Sequence, residues 1–386
     1  MEVCKHHELC GGCLYQGLPY EEQVLLKGKE VLRLLSEHEI PVGRNLGITG
    51  SPRRTAYRNK MEYTFGDETK GGETTLGMHK RGNYMSIVTT EECQLVDPDF
   101  NRILSATLDF ARYHAYPHYH KKSHQGLLRN LIVRKGERTS ELLINLVTTS
   151  QVDWDREGFV NQILSLELGN QVIGILHTVN DGASDAVNCD ALHTLWGRDY
   201  YMEKIMGLDF VVSAFSFFQT NVEAVETLYR EAIDLIPDLA GKTVFDLYCG
   251  TGTITQSLAC AADHVTGVEL SEEAVQSARI NAEKNGLTNC SFIAGDVFQV
   301  LNELDEKPEI IVLDPPRSGV HPKAMEKILQ YQTDQILYIS CNPKTLMENL
   351  KQAIAHGYRV DQIKTYDNFP FTKHVETVVL MSRGDK

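Results

Sequence analysis

The chain contains no run of eighteen apolar residues, so no segment suits a helical membrane span. Its first residues, MEVCKHHELCGGC, show no hydrophobic signal segment, and the expectation is a cytoplasmic chain. An even cysteine count is also missing: nine cysteines without a leader argue against a disulfide framework. Positive charge is in deficit, with 38 Lys and Arg against 52 Asp and Glu and a net charge of −14. That average counts against a polyanionic partner, yet a nucleic acid feels a local patch, which has to be sought directly. Internal repeats and low-complexity segments are absent, and nothing points to an obligate protein partner.

What remains is 386 residues with ordinary apolar and charged contents of 42% and 23%, enough for two or three globular domains. Near the start, PYEEQVLLKGKEVLRLLSEH places Val24, Leu25, Val31, Leu32 and Leu35 at helical spacing. From about residue 47 to 95, NKMEYTFG, TTLGMHKRG and YMSIVTTEEC read as antiparallel strands punctuated by glycine. The helix DPDFNRILSATLDFARYH, the strands LRNLIVRKG and SELLINLVTT, a helix near 154–168 and the strand QVIGILHTV complete an α+β middle region. Beyond about residue 205, apolar strands alternate strictly with amphipathic helices, from TVFDLYCG through QILYIS to VETVVLMS. This is an α/β pattern, a parallel sheet covered on both faces, with ligands expected outside the carboxyl ends of its strands.

Cys341 stands at such an end. In ILYISCNPKTL the strand stops at a cysteine, and Pro343 cannot continue a central strand, so the thiol sits on the rim of the sheet. In FDLYCGTGTIT, Gly250 and Gly252 lie between strand and helix and let a ligand approach the backbone. The third glycine of the dinucleotide fingerprint is missing. The next strand ends in Glu269, placed to accept both hydroxyls of a ribose, and the third ends in Asp296, near an adenine edge. The fourth ends in Asp314, Pro315, Pro316 and Arg317, a rigid exit that pre-positions polar groups beside a planar base. A nucleoside without a pyrophosphate fits this set, and S-adenosylmethionine is the leading candidate.

The motifs FSFFQTN, DLYCGTGT, GVEL, LDPPRSG, YISCNP and FPFTKHVETVVLM, in that order, resemble the RNA uracil-5 methyltransferase family, whose members make 5-methyluridine in 23S ribosomal RNA or in the tRNA T-loop. The resemblance implies that Cys341 is a nucleophile adding to carbon 6 of uracil and that Glu376 is the base removing the carbon 5 proton, with His374 two residues away on the same strand face. Thiolate addition turns the ring into an enolate whose carbon 5 can attack a sulfonium methyl. By the same resemblance Gln219, Tyr248, Glu269 and Asp314 contact the cofactor. Thr253 stands where some members carry asparagine. Cys249 and Cys260 are expected to be packed rather than reactive.

Cys4, Cys10 and Cys13, with Cys93 from EECQLVD, offer four thiolates whose spacing suits zinc or an iron–sulfur cluster. The family pattern implies a 4Fe–4S cluster with a structural or RNA-contacting role. A basic patch is expected from Arg53, Arg54, Arg58 and Lys60 around Tyr57, and from Lys121, Lys122, Arg129, Arg134 and Lys135. Many family members begin with a small β-barrel that is expected to be absent here.

The expected organisation is an iron–sulfur segment and helix over 1–45, a middle α+β RNA-binding domain over 46–204 that supplies the fourth cluster cysteine, and a Rossmann-like class I methyltransferase domain over 205–386. The expected activity is methylation of carbon 5 of a uridine in 23S rRNA. The rivals are the tRNA T-loop, against which the lack of cluster cysteines in the bacterial tRNA branch counts, and a non-catalytic iron–sulfur RNA-binding protein, which would need neither Cys341 nor Glu376. Cytosine-5 methylation would call for a second catalytic cysteine that no motif supplies.

Overall fold

The computed structural model describes residues 3–304 and 306–384. The chain folds as two compact units, one of residues up to 17 with 53–204 and 212–215, the other of 18–52, 205–211 and 216 onward. The first regular elements, α1 (Tyr20–Glu37) and β1 (Val42–Thr49), lie in the second unit. This division differs from the sequence expectation, which joined the α1 helix to the cysteine segment. The reason is pairing: β1 finds its hydrogen-bond partner in a strand more than three hundred residues on.

The first unit is built on β2 (Lys60–Asp67), β3 (Thr74–Lys80), β4 (Asn83–Thr89), helix α2 (Pro98–Tyr113), β5 (Leu128–Lys135), β6 (Glu141–Thr148), helix α3 (Arg156–Leu164), β7 (Gln171–Val179) and β8 (Ala191–Gly197). Its seven strands run in the order β4-β3-β2-β5-β6-β7-β8. All neighbours are antiparallel except β6 and β7, whose parallel pairing needs the crossover that α3 supplies. Phe100, Ile103 and Leu104 of α2 pack with Phe159 of α3 on Leu131, Val133 and Ile144 of the sheet.

A two-stranded ribbon follows, β9 (Tyr200–Ile205) and β10 (Leu208–Ser213), and then helix α4 (Val222–Asp234). The second unit continues with β11 (Thr243–Leu247), α5 (Thr253–Ala259), β12 (His264–Glu269), α6 (Glu272–Lys284), β13 (Cys290–Ala294), α7 (Val297–Glu303), β14 (Ile310–Leu313), α8 (Pro322–Gln330), β15 (Gln335–Ser340), α9 (Pro343–Ala355), β16 (Tyr358–Tyr366) and β17 (Glu376–Arg383). The eight-stranded sheet has the order β1-β16-β17-β15-β14-β11-β12-β13. Strands β11 to β15 are mutually parallel, while β17 is inserted antiparallel between β15 and β16. The sheet is therefore mixed rather than purely parallel. Its order reverses direction between β11 and β14, the switch point where doubly wound sheets open a ligand crevice.

Helix α1 contributes Val31, Leu34 and Leu35 to the core of this unit. The inward face carries Gln23 and Lys27 as well, while Leu25 and Leu32 point outward, against the apolar spacing in the sequence. No helix of the described residues is long and apolar enough to cross a membrane.

Candidate active site

The strand β15 ends at Ser340, and α9 begins at Pro343 with Asn342 as its N-cap, so Cys341 occupies the single residue between strand and cap. Asn342 does two things. Its Oδ1 accepts from Lys344 N at 3.3 Å, and its Nδ2 donates to Arg317 O at 2.9 Å. The second bond fastens the exit of β14, with Asp314 and the two prolines, to the cysteine turn. Asn349 on the next turns of α9 repeats the stitch, bonding both N and O of Val320 and accepting from Tyr338 OH. Sequence reasoning missed both asparagines; only the Asn-Pro pair, a cap preceding a first-turn proline, signalled one of them.

Cys341 is half-buried and feels the charges of Glu376, Asp314 and Arg317. The helix N-terminus beside it favours a thiolate. Burial outweighs that and, with the charges of Glu376 and Asp314, pushes the thiol up to about 11. Glu376 opens β17, and burial followed by the charge of Asp314 holds its carboxyl well above the usual range. Burial likewise raises Asp314 to about 7. Asp246, at the end of β11, rises to about 7 by burial, against a hydrogen bond from Thr255 Oγ1 at 2.5 Å. Among the described residues none of these three carboxylates has an ion-pair partner. His374 precedes β17 rather than lying on it, and its N donates to Thr372 Oγ1.

The glycine turn after β11 lies alongside. Tyr248 takes a left-handed backbone (φ 70°), which a bulky residue adopts only when its surroundings enforce it. Here both Tyr248 N and Cys249 N donate to Val268 O. The Tyr248 phenol is raised to about 12 by burial and by the charges of Asp296 and Glu269. Gly250 (φ 55°) has open space where a Cβ would stand, so a ligand can press against the backbone there. Gly252 (φ 79°) caps α5, and a Cβ at it would meet Phe292 at 2.8 Å.

Glu269 is fixed by two backbone donors, Gly250 N at 3.1 Å and Ser271 N at 3.0 Å. Asp296 is the N-cap of α7, with Oδ1 accepting from Phe298 N and Gln299 N. Gln219 Nε2 donates to Tyr229 OH at 3.2 Å, and Tyr229 OH lies 3.4 Å from Thr253 Oγ1. Thr253 is thereby drawn into the site through Tyr229, a buried residue of α4 that carried no signal in the sequence. Cys249 is buried among Val275, Ala278, Ala282 and Phe292, while Cys260 is exposed at the end of α5.

In the first unit, Cys4, Cys10, Cys13 and Cys93 line one pocket with His6, His7 and Leu95. The segment is held by Gly11 N to His79 O, Arg81 N to Leu9 O, and Lys5 to Glu92 at 2.6 Å. Burial, then the charges of Cys93, Cys10 and Cys4, raises the Cys13 thiol to about 12. Among the described residues no group of three or more His, Cys, Asp or Glu is set to hold a metal ion. Four cysteines are the donor set that iron–sulfur clusters take, and these four line one pocket.

Part of the expected basic patch is internal, while Arg54 and Lys122 are exposed. Arg129, Arg134, Lys135 and Tyr57 are buried. Arg129 donates to the carbonyls of Asn180, Gly182 and Ser184 and lies over the Tyr119 ring at 4.3 Å. Lys135 pairs with Asp97 at 2.7 Å. Arg53 pairs with Glu137 at 2.7 Å. These cations build the unit and are spent within it. A solvent-facing groove instead gathers Lys70, Lys80, Arg81, His120 and Lys122, with Asp67 and Glu68. Lys80 pairs with Glu68, whereas Lys70 and Lys122 form no ion pair among the described residues.

A doubly wound sheet with these groups at the carboxyl ends of its strands defines a class I S-adenosylmethionine-dependent methyltransferase. A family model described as tRNA (Uracil-5-)-methyltransferase matches residues 202–384. An uncharacterized RNA methyltransferase of Clostridium tetani is 50% identical over 99% of this chain and 84% of its own length. One from Caldanaerobacter subterraneus is 47% identical over 99% and 84%. The crystal structure of Pyrococcus abyssi tRNA (uracil-54, C5)-methyltransferase, in complex with S-adenosyl-L-homocysteine, superimposes with a TM-score of 0.78 at 26% identity, covering 97% of this chain and 86% of that one. The chain belongs to the RNA uracil-5 methyltransferase family and is an S-adenosylmethionine-dependent RNA methyltransferase.

Proposed function

We propose that the protein methylates carbon 5 of a uridine in 23S ribosomal RNA through a covalent cysteine–uracil adduct. The observation that carries this reading is the convergence of Cys341 and Glu376 beside Asp314 at the carboxyl edge of the sheet. Binding an RNA base alone requires neither a thiol nor a buried carboxyl. Gln219, Tyr248, Glu269 and Asp314 would hold S-adenosylmethionine. When bound, it supplies the electrophilic methyl and the one positive charge that the buried carboxylates lack.

Cys341, as thiolate, adds to carbon 6, and the electron pair moves through carbon 5 toward the carbonyl oxygen. Once carbon 5 is alkylated, the Glu376 carboxylate takes the remaining carbon 5 proton. The electrons of that C–H bond re-form the double bond and expel the Cys341 thiolate. Burial raises both groups in the free protein, so filling of the site would have to favour the Cys341 thiolate and the Glu376 carboxylate.

Cys4, Cys10, Cys13 and Cys93 would hold a 4Fe–4S cluster with a structural or RNA-contacting part, since methyl transfer needs no electrons. The RNA backbone would run along the groove of Lys70, Lys80, Arg81 and Lys122, with the exposed Tyr84 on the same hairpin turn offering a stacking face. The cysteine segment supports an rRNA target, and the cytoplasm is the compartment this reading requires. The Pyrococcus abyssi structure favours a second reading, the tRNA T-loop. Mass spectrometry of 5-methyluridine in rRNA and tRNA from a deletion strain decides between them: loss from 23S rRNA is expected, and loss from tRNA alone would replace the first reading by the second.

A further inference from the structure

Nine residues, 367–375, join β16 to Glu376 without regular structure, yet they are anchored by buried polar groups at almost every step. Lys27 of α1 is 1% exposed, its Nζ 2.5 Å from Asp367 Oδ1 and donating to Phe369 O at 3.0 Å. Gln23, one helical turn earlier, accepts from Phe371 N at 2.9 Å through Oε1, and its Nε2 donates to Leu18 O. Phe371 is held with φ 66°, a conformation that an aromatic residue does not keep unaided. Asp367 N donates to Thr49 O at the end of β1. Asn221, two residues after Gln219, donates to Asn368 O at 2.8 Å while its Oδ1 caps α4. One buried lattice thus joins α1, β1, the segment carrying Gln219 and the segment leading into Glu376.

A buried ion pair is a poor stabiliser, because desolvation of both charges offsets their attraction, and apolar residues of similar size often do as well. Fully buried lysine is rare. A lattice so placed therefore suits the fixing of a geometry better than the holding of a fold. We infer that Lys27, Asp367 and Gln23 are positioning residues for proton abstraction, locking the loop that aims Glu376 at carbon 5. The inference rests on the covalent reading, with Glu376 as its base.

The test uses the full chain with S-adenosylmethionine and two RNAs, one carrying uridine and one 5-fluorouridine at the target. Lys27→Met/Asp367→Asn removes both charges together, so no orphan charge stays buried. Trapping on 5-fluorouridine needs no proton removal and should keep its wild-type rate. Turnover on uridine should fall at least tenfold, with adduct accumulating, and S-adenosylmethionine affinity by calorimetry should not change. Gln23→Ala, which keeps the ion pair, should show the same split to a lesser degree and covers the case in which the double variant does not fold. Wild-type turnover in both variants, or trapping and turnover falling together in Gln23→Ala, would overturn the inference alone. Absence of any adduct with the wild-type protein would overturn the covalent reading and this inference with it.

Discussion

The antiparallel register that pairs Ser340 with Thr377 brings Cys341 level with Glu376 one step further along, and the charge of Glu376 raises the Cys341 thiol. The proposed nucleophile and the proposed base thus come from adjacent strands running in opposite directions. In a purely parallel sheet the strand end beside Cys341 would be another carboxyl end; the antiparallel insertion of β17 puts the start of a strand there instead. The residue that opens that strand is buried without being deep in the sheet. In the proposed reaction such a carboxyl would be desolvated and yet face the base from the edge of the sheet.

Replacing Glu269 by alanine should weaken S-adenosylmethionine binding by roughly 1.5–3 kcal/mol, the range for a charge-assisted hydrogen bond. Its two backbone donors, Gly250 N and Ser271 N, already fix the carboxylate, so the ribose hydroxyls would meet an oriented acceptor. Glu269→Gln keeps an acceptor and should lose less. Calorimetry on the three proteins checks this, and equal affinities would remove Glu269 from the cofactor site.

Asp314 should trade stability for binding in a pH-dependent way. Its folded pKa of about 7 lies above the unfolded value, about 3.9, so the folded chain keeps a proton that the unfolded chain releases. Stability of the cofactor-free protein should therefore fall as pH rises from about 4 to about 7. Asp314→Asn carries no such penalty: its melting temperature should match wild type near pH 4 and exceed it at pH 8. Cofactor affinity should drop in the same variant. Identical melting curves at both pH values would contradict the burial argument.

The alternation of the catalytic unit was legible because buried parallel strands are near-continuously apolar and their ends carry the chemistry. Cys341, Glu269 and Asp314 could each be placed at a strand end from that pattern alone. What stayed hidden depends on partners far along the chain. Lys27 reads as a solvated helix residue until Asp367, 340 positions later, is set against it. Leu25 and Leu32 consequently face outward, although their spacing promised the core. Arg129 and Lys135 looked like phosphate contacts because sequence shows charge but not the carbonyls and carboxylates that consume it. Tyr229 and Asn349 act through hydrogen bonds that no periodicity announces.

Anaerobically purified protein should be brown and carry about four irons per chain. Cys93→Ser should lose them, because Cys93 shares one pocket with Cys4, Cys10 and Cys13 despite its distance in sequence. Iron and zinc analysis of both preparations checks this. Stoichiometric zinc without iron in the wild-type protein would overturn the cluster assignment.

Lys70→Ala/Lys122→Ala should weaken RNA binding with little change in S-adenosylmethionine affinity. Each lysine that meets a phosphate releases about one counterion, so the slope of log affinity against log salt should become shallower by about 1–2 in the double variant. Arg129→Ala should behave differently, lowering stability, since its guanidinium is engaged inside the unit. An unchanged salt slope in the double variant would move the RNA path away from this groove.

The sharpest separation of roles concerns Cys341 and Glu376. With 5-fluorouridine at the target, carbon 5 has no proton to give up after methylation, and fluorine cannot leave as a cation. Wild-type protein with S-adenosylmethionine should therefore form an adduct that survives denaturation. Cys341→Ala should form none, on fluorinated or ordinary RNA. Glu376→Gln should behave in the opposite sense: addition and methylation can proceed on ordinary uridine, but the last proton stays, so adduct should accumulate without fluorine while product formation slows by ~10²–10⁴-fold, the usual worth of a positioned base. Denaturing gels with peptide mapping check both variants. An adduct that persists in Cys341→Ala would assign the chemistry to another thiol. Cys249 would be a poor substitute, since it is buried among Val275, Ala278, Ala282 and Phe292, whereas Cys341 is half-buried.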